Sequence, residues 1–197
     1  MKTTKKALLL ALCAVLLVVS TVFATLAYLT TEVKVVKNTF TVGEIAITLD
    51  EAKVTEYGEK VTGAGRVTGN EYKLIPGHEY TKDPIVHVVE KSEPCYVFVK
   101  LDNGLKNIII ATDTIEAQMA ANNWIPLSGN VYYYKNSVDA RSGQVDLPVF
   151  KSFEITDDAV VKDYVNKTIT VKAYAVQADG FDDAAAAWTA ASTTWGE

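Results

Sequence analysis

Two histidines, a cysteine in an apolar run and two aspartate pairs are the residues of this 197-residue chain whose types could do chemistry. His78 and His87 stand nine apart, and no His-Glu-x-x-His frames either of them. Glu79 follows His78 without the second histidine that a helical zinc site needs. Cys95 sits in Pro94-Cys95-Tyr96-Val97-Phe98-Val99 with no histidine within four residues, which predicts a small core hydrophobe, the rival reading being an intermolecular disulfide. No Gly-x-Ser-x-Gly occurs. Asp157-Asp158 and Asp182-Asp183 precede expected helical turns and read as N-caps, with calcium ligation as the alternative. Gly63-Ala64-Gly65 lacks the buried strand before it and the capped helix after it that make such glycines a phosphate cradle. These residues predict no catalytic centre, no metal site and no cofactor.

The elements that must position them are mostly strands. Ile45, Ile47 and Leu49 alternate within the stretch from Phe40 to Leu49, which predicts a half-buried strand. Residues 51–70 carry four glycines and no sustained apolar period, hence a surface loop or loose hairpin. Pro76-Gly77 marks a structural turn, since proline presets φ and glycine accepts φ > 0 at the next position. Strands are expected at 85–90, 96–101, 108–111, 131–135 and 147–155. The alternation of Ile169, Val171, Ala173 and Ala175 against Thr168, Thr170 and Lys172 predicts a central strand over 168–177. Asp113 with Glu116 reads as a capping box opening a short helix to Asn122, with Trp124 packing it onto a sheet. Asp182-Asp183 before four alanines predicts a closing helix with Trp188 turned inward. Residues 157–166 read equally as a helical turn or a loop. The sum is an antiparallel β-sandwich over residues 40–197 with short peripheral helices.

Ahead of it, Lys2, Lys5 and Lys6 lead into the apolar run Ala7–Phe23 and then the small residues of Ala24-Thr25-Leu26-Ala27, the order of an export signal. Residues 1–27 therefore read as a signal helix cleaved between Ala27 and Tyr28. A retained anchor is the alternative, because Ala7–Ala27 is long enough to span ~30 Å of hydrocarbon. Leu12 is too bulky to make Leu10-Ala11-Leu12-Cys13 a lipoprotein box, and no Leu-Pro-x-Thr-Gly motif closes the chain. Cleavage would take three lysines and no acid from a chain with 19 basic and 24 acidic side chains. The remainder is more acidic still, which argues against nucleic acid and anionic membrane surfaces as partners and leaves membrane contact to the signal alone. One cysteine would remain, so the secreted domain holds together by packing. Residues 28–39 read as a tether in which Val33 and Val35 share a face. With no catalytic pattern, a structural or adhesive role outranks an enzyme.

The junction Thr25-Leu26-Ala27-Tyr28-Leu29-Thr30 followed by Asn38-Thr39-Phe40-Thr41-Val42-Gly43-Glu44-Ile45 resembles the signal and first strand of the TasA and camelysin family of bacterial secreted proteins. Leu74-Ile75-Pro76-Gly77 with Lys82-Asp83, and Ile169–Gln177 followed by Gly180-Phe181 and Trp188, are similar to later stretches of Gram-positive relatives. Together these matches reach across most of the chain, though each is short. The resemblance implies a jelly-roll sandwich, processing by a dedicated SipW-type signal peptidase, and secretion to the cell surface or extracellular biofilm matrix. It also implies polymerisation with itself or related matrix subunits, residues 28–39 being donated as a strand, with Val33 and Val35 entering the neighbour's groove. Camelysin-type relatives are also classed as metalloproteases, a rival expectation that the missing zinc motif puts in doubt; a secreted accessory or adhesin domain that never polymerises is the third.

Overall fold

Strand β4, Cys95–Asn103, is the spine of the structure, because its side chains are buried on both faces. The protein was analysed as a computed structural model, which describes residues 44–194. The signal helix of residues 1–27, the Ala27–Tyr28 junction and the donor residues Val33 and Val35 lie outside these residues. The described strands are β1 Ile47–Asp50, β2 Glu79–Thr81, β3 Ile85–Val88, β4, β5 Trp124–Ser128, β6 Val131–Tyr134, β7 Val145–Pro148, β8 Ser152–Glu154 and β9 Ile169–Gln177; the α-helices are α1 Ile115–Ala121 and α2 Ala184–Ala191. Every pairing is antiparallel. The sheets run β1-β3-β7, β2-β8 and β5-β6-β4-β9, so the chain is mostly β with few helices, as its alternating pattern predicts. Among the described residues no helix is long and apolar enough to cross a membrane.

Burial follows the strand period of two. Val97, Val99 and Leu101 of β4 enter a core shared by all three sheets, together with Val86, Leu147, Phe153 and Trp124. Phe98, on the opposite face, packs with Ala184 and Ala187 of α2. β9 pairs with β4 over all nine residues, from Cys95↔Gln177 to Asn103↔Ile169, and divides its side chains in the same way. Ile169, Val171, Ala173 and Ala175 meet the main core, while Tyr174 and Val176 meet the second cluster under α2. The alternation is therefore borne out, but the central placement is not. Among the described residues β9 is an edge strand and β4 lies inside the sheet; one strand's face pattern carries no information on how many neighbours it has.

Other departures have local causes. Residues 108–111 form no strand: a 3-10 turn over Lys106–Ile108 is followed by a single bridge, Ile109↔Ile155. The strand expected over 147–155 breaks into β7 and β8, which belong to different sheets. α1 is capped by Thr114, whose Oγ1 accepts from Ala117 N at 3.1 Å, and not by Asp113. Asp157-Asp158 cap no helix, since the 3-10 turn Val161–Tyr164 starts from Val160 without a side-chain cap. Asp183 does cap α2, accepting from Ala186 N at 2.8 Å, and Trp188 lies 5.1 Å from the Phe98 ring, turned inward as expected.

Candidate functional site

A groove of about 970 Å³ opens where two sheet edges meet. One wall is the end of β1, Leu49 and Asp50, with the strip 68–74; the other is the start of β9, Ile169–Val171, with the segment 161–168. Tyr72, Phe153 and Val171 give it apolar patches, while Asp50, Glu51, Glu71, Lys73, Lys82, Lys162 and Lys167 are its charged lining residues. Among the described residues β1 is the edge of its sheet and β9 the edge of the other. Two sheet edges thus border one concave surface, a combination that protein structures ordinarily cover or guard with charge.

The wall beside β1 is held by ion pairs that fasten residues 51–70 to the sheet. Lys82 Nζ meets Glu51 Oε2 at 2.6 Å, with side-chain exposures of 11% and 5%. Such burial costs both charges their water, which is tolerable only with further hydrogen bonds. Asn70 provides one, donating to Glu51 Oε1 at 2.9 Å while also donating to the Ala52 carbonyl and accepting from Val54 N. Arg66 pairs with Asp50 and donates to the Asp83 carbonyl at 2.8 Å, and Lys60 reaches Asp83 at 2.8 Å. Burial, then the Glu51 carboxylate, raise the Tyr72 phenol above its ordinary pKa, so it stays neutral and donates to the Thr81 carbonyl at 3.0 Å.

Asp50 also belongs to a second constellation. His87 of β3 sits between it and Asp146 of β7: Nδ1 lies 2.7 Å from Asp146 Oδ1 and Nε2 3.0 Å from Asp50 Oδ1. The register that sets His87 opposite Asp146 makes this contact possible. Desolvation opposes charge on the ring, yet the hydrogen bonds to Asp146 and Asp50 outweigh it and raise its pKa. Asp50 is held below the ordinary carboxylate range, desolvation being overcome by Arg66 and His87. Asp146 is lowered by His87 and then Gln144. The two nitrogens of an imidazole point away from each other, so these carboxylates cannot join the ring around one ion. Among the described residues no group of three or more His, Cys, Asp or Glu converges as a metal site.

No family model, curated protein or solved structure matches the chain.

Pro76 and Gly77 form the predicted turn, closed by His78 N donating to the Ile75 carbonyl at 3.3 Å, with Gly77 at φ +70°. It lies just past Leu74, the last groove residue of its strip. His78 packs on Tyr80 and its Nε2 contacts the Tyr57 carbonyl at 2.8 Å, so the two histidines are not brought together. Cys95 is buried in the core, and burial pushes its thiol up to about 11, which fits a core hydrophobe and not a nucleophile. Asp50, Arg66 and Asp146 were invisible as a set. Their one sequence signal is the polar His87 within the apolar strand Ile85-Val86-His87-Val88.

Proposed function

We propose that the chain is a secreted structural subunit of a cell-surface or matrix fibre, non-enzymatic, with a jelly-roll-like sandwich that accepts a strand from the next copy. The observation that carries this reading is the groove between the β1 and β9 edges, whose apolar patches and bordering edge strands suit an extended segment. The segment 28–39, freed at Tyr28 by cleavage after Ala27, is the donor, and Val33 and Val35 are the side chains that enter. Glu44, whose carbonyl is bonded by Glu93 N, is at the end of β1 away from the groove, since the lining on that strand begins at Leu49. The resemblance in the signal junction and the Pro76-Gly77 turn supports the same assignment.

N-terminal sequencing of the secreted protein is expected to read Tyr28 first. Deleting Tyr28–Asn38 should leave a folded monomer, and Val171→Asp, which places a charge in the groove wall, should stop growth of wild-type seeds in electron micrographs. Fibres formed as readily by both variants would remove the donor-strand mechanism.

A further inference from the structure

His87 is a buried ring flanked by two acceptors. An ionised carboxylate only accepts hydrogen bonds, and a neutral imidazole carries one N–H, so satisfying both Asp146 at 2.7 Å and Asp50 at 3.0 Å requires a proton on each nitrogen. The charged groups around the ring are few. On β7 it faces Asp146; the neutral Gln144, just before that strand, has its Nε2 2.8 Å from that carboxylate, to which it donates, and 3.4 Å from His87 Nδ1; at the end of β1 the ring faces Asp50. Arg66, from the 51–70 loop, lies behind Asp50 and binds both it and Asp83, which Lys60 also holds. β3 itself carries no other ionisable side chain, and Thr48 is its partner on β1.

We propose that His87 is a proton-operated latch on the 51–70 loop: doubly protonated, it fixes the Asp50–Arg66 corner that fastens the loop to the sheet, and on losing a proton it releases that corner. The remaining proton stays on Nδ1, where the contact to Asp146 is shorter. The Nε2 lone pair then faces Asp50 Oδ1, and the repulsion falls on the carboxylate that anchors Arg66. Asp50 and Glu51 line the groove, so the latch governs the firmness of that wall whatever occupies the groove. The ring's raised pKa places the release above the midpoint of a free histidine.

Amide hydrogen exchange of the 51–70 segment, corrected for the chemical rate and followed from about pH 5.5 to 9 on the full chain in mild detergent, tests this. Protection should fall as pH rises, by up to about tenfold for each pH unit separating the folded midpoint from that of a free histidine. His87→Gln should flatten the profile. Constant protection in the wild type, or an equal decline in His87→Gln, would overturn the proposal. Should His87→Gln not fold, nitrogen-detected NMR of the wild-type ring decides. Both nitrogens protonated near pH 6 and an Nδ1–H tautomer after titration support the latch; a neutral ring near pH 6 or an Nε2–H tautomer excludes it.

Discussion

Gln118 shows how much one side chain can organise. Its Oε1 accepts from Lys151 N at 2.9 Å and from Ser152 N at 3.3 Å, and its Nε2 donates to the Ser152 carbonyl at 3.0 Å, tying α1 to β8. Gln118→Leu leaves buried backbone groups unpaired and should cost about 3 kcal/mol in urea unfolding. The His87 rung carries a pH signature. Its folded pKa is raised, so its contribution is complete below about 6.5 and fades as pH climbs through the folded midpoint. The Asp50 and Asp146 contributions run the other way, present above about 3.8 and lost as pH falls through their lowered folded values. The stability difference between wild type and His87→Gln should therefore be largest between these limits and shrink toward pH 9, measured as the shift in urea midpoint. None of this was legible in sequence, because Asp50 and Asp146 reach His87 only through strand register. The inert Cys95 was legible, since its apolar neighbours already implied burial.

Turns and caps are where elements show their chemistry. Gly58 and Gly77 both have positive φ, but their surroundings differ. A Cβ on Gly58 would lie 2.7 Å from Tyr80 Cα, which is backbone, whereas one on Gly77 would meet the Asp157 carboxylate, which can swing aside. Gly58→Ala should cost about 2–4 kcal/mol and Gly77→Ala about 1–2 kcal/mol in chemical denaturation. Trp188 is the main aromatic contact of α2 with the outer face of β4 and β9, through Phe98 and Tyr174. Trp188→Ala should destabilise by about 2–3 kcal/mol and raise binding of a hydrophobic dye to that face. The Asp183 cap and the Pro76-Gly77 turn could be read directly, because their physics is confined to a few neighbouring residues. Thr114 displaced Asp113 as a cap because the two adjacent residues offer the same chemistry and only the backbone angles choose between them.

At the scale of the whole molecule, the period-two pattern was enough to predict a mostly antiparallel β structure. It could not reveal the groove, whose walls come from β1, the strip 68–74 and β9. Which strands become edges is settled by long-range pairing, and edges are what border the groove. Of the six strand pairings among the described residues, only β5 with β6 joins sequence neighbours through a tight turn, at Gly129. β4 takes β9 as partner, β3 takes β7, and β2 takes β8. A fold built on such distant pairings closes its loops before it gains from them, which slows folding. Refolding followed by tryptophan fluorescence should accordingly take milliseconds to seconds or longer, and a chain ending before Ile169 should not fold, because β4 would lose the strand paired along its whole length. Such slowness would suit the export we propose: a chain threaded from its N-terminus cannot lock its spine prematurely, since β9, which completes it, is the last of the described strands.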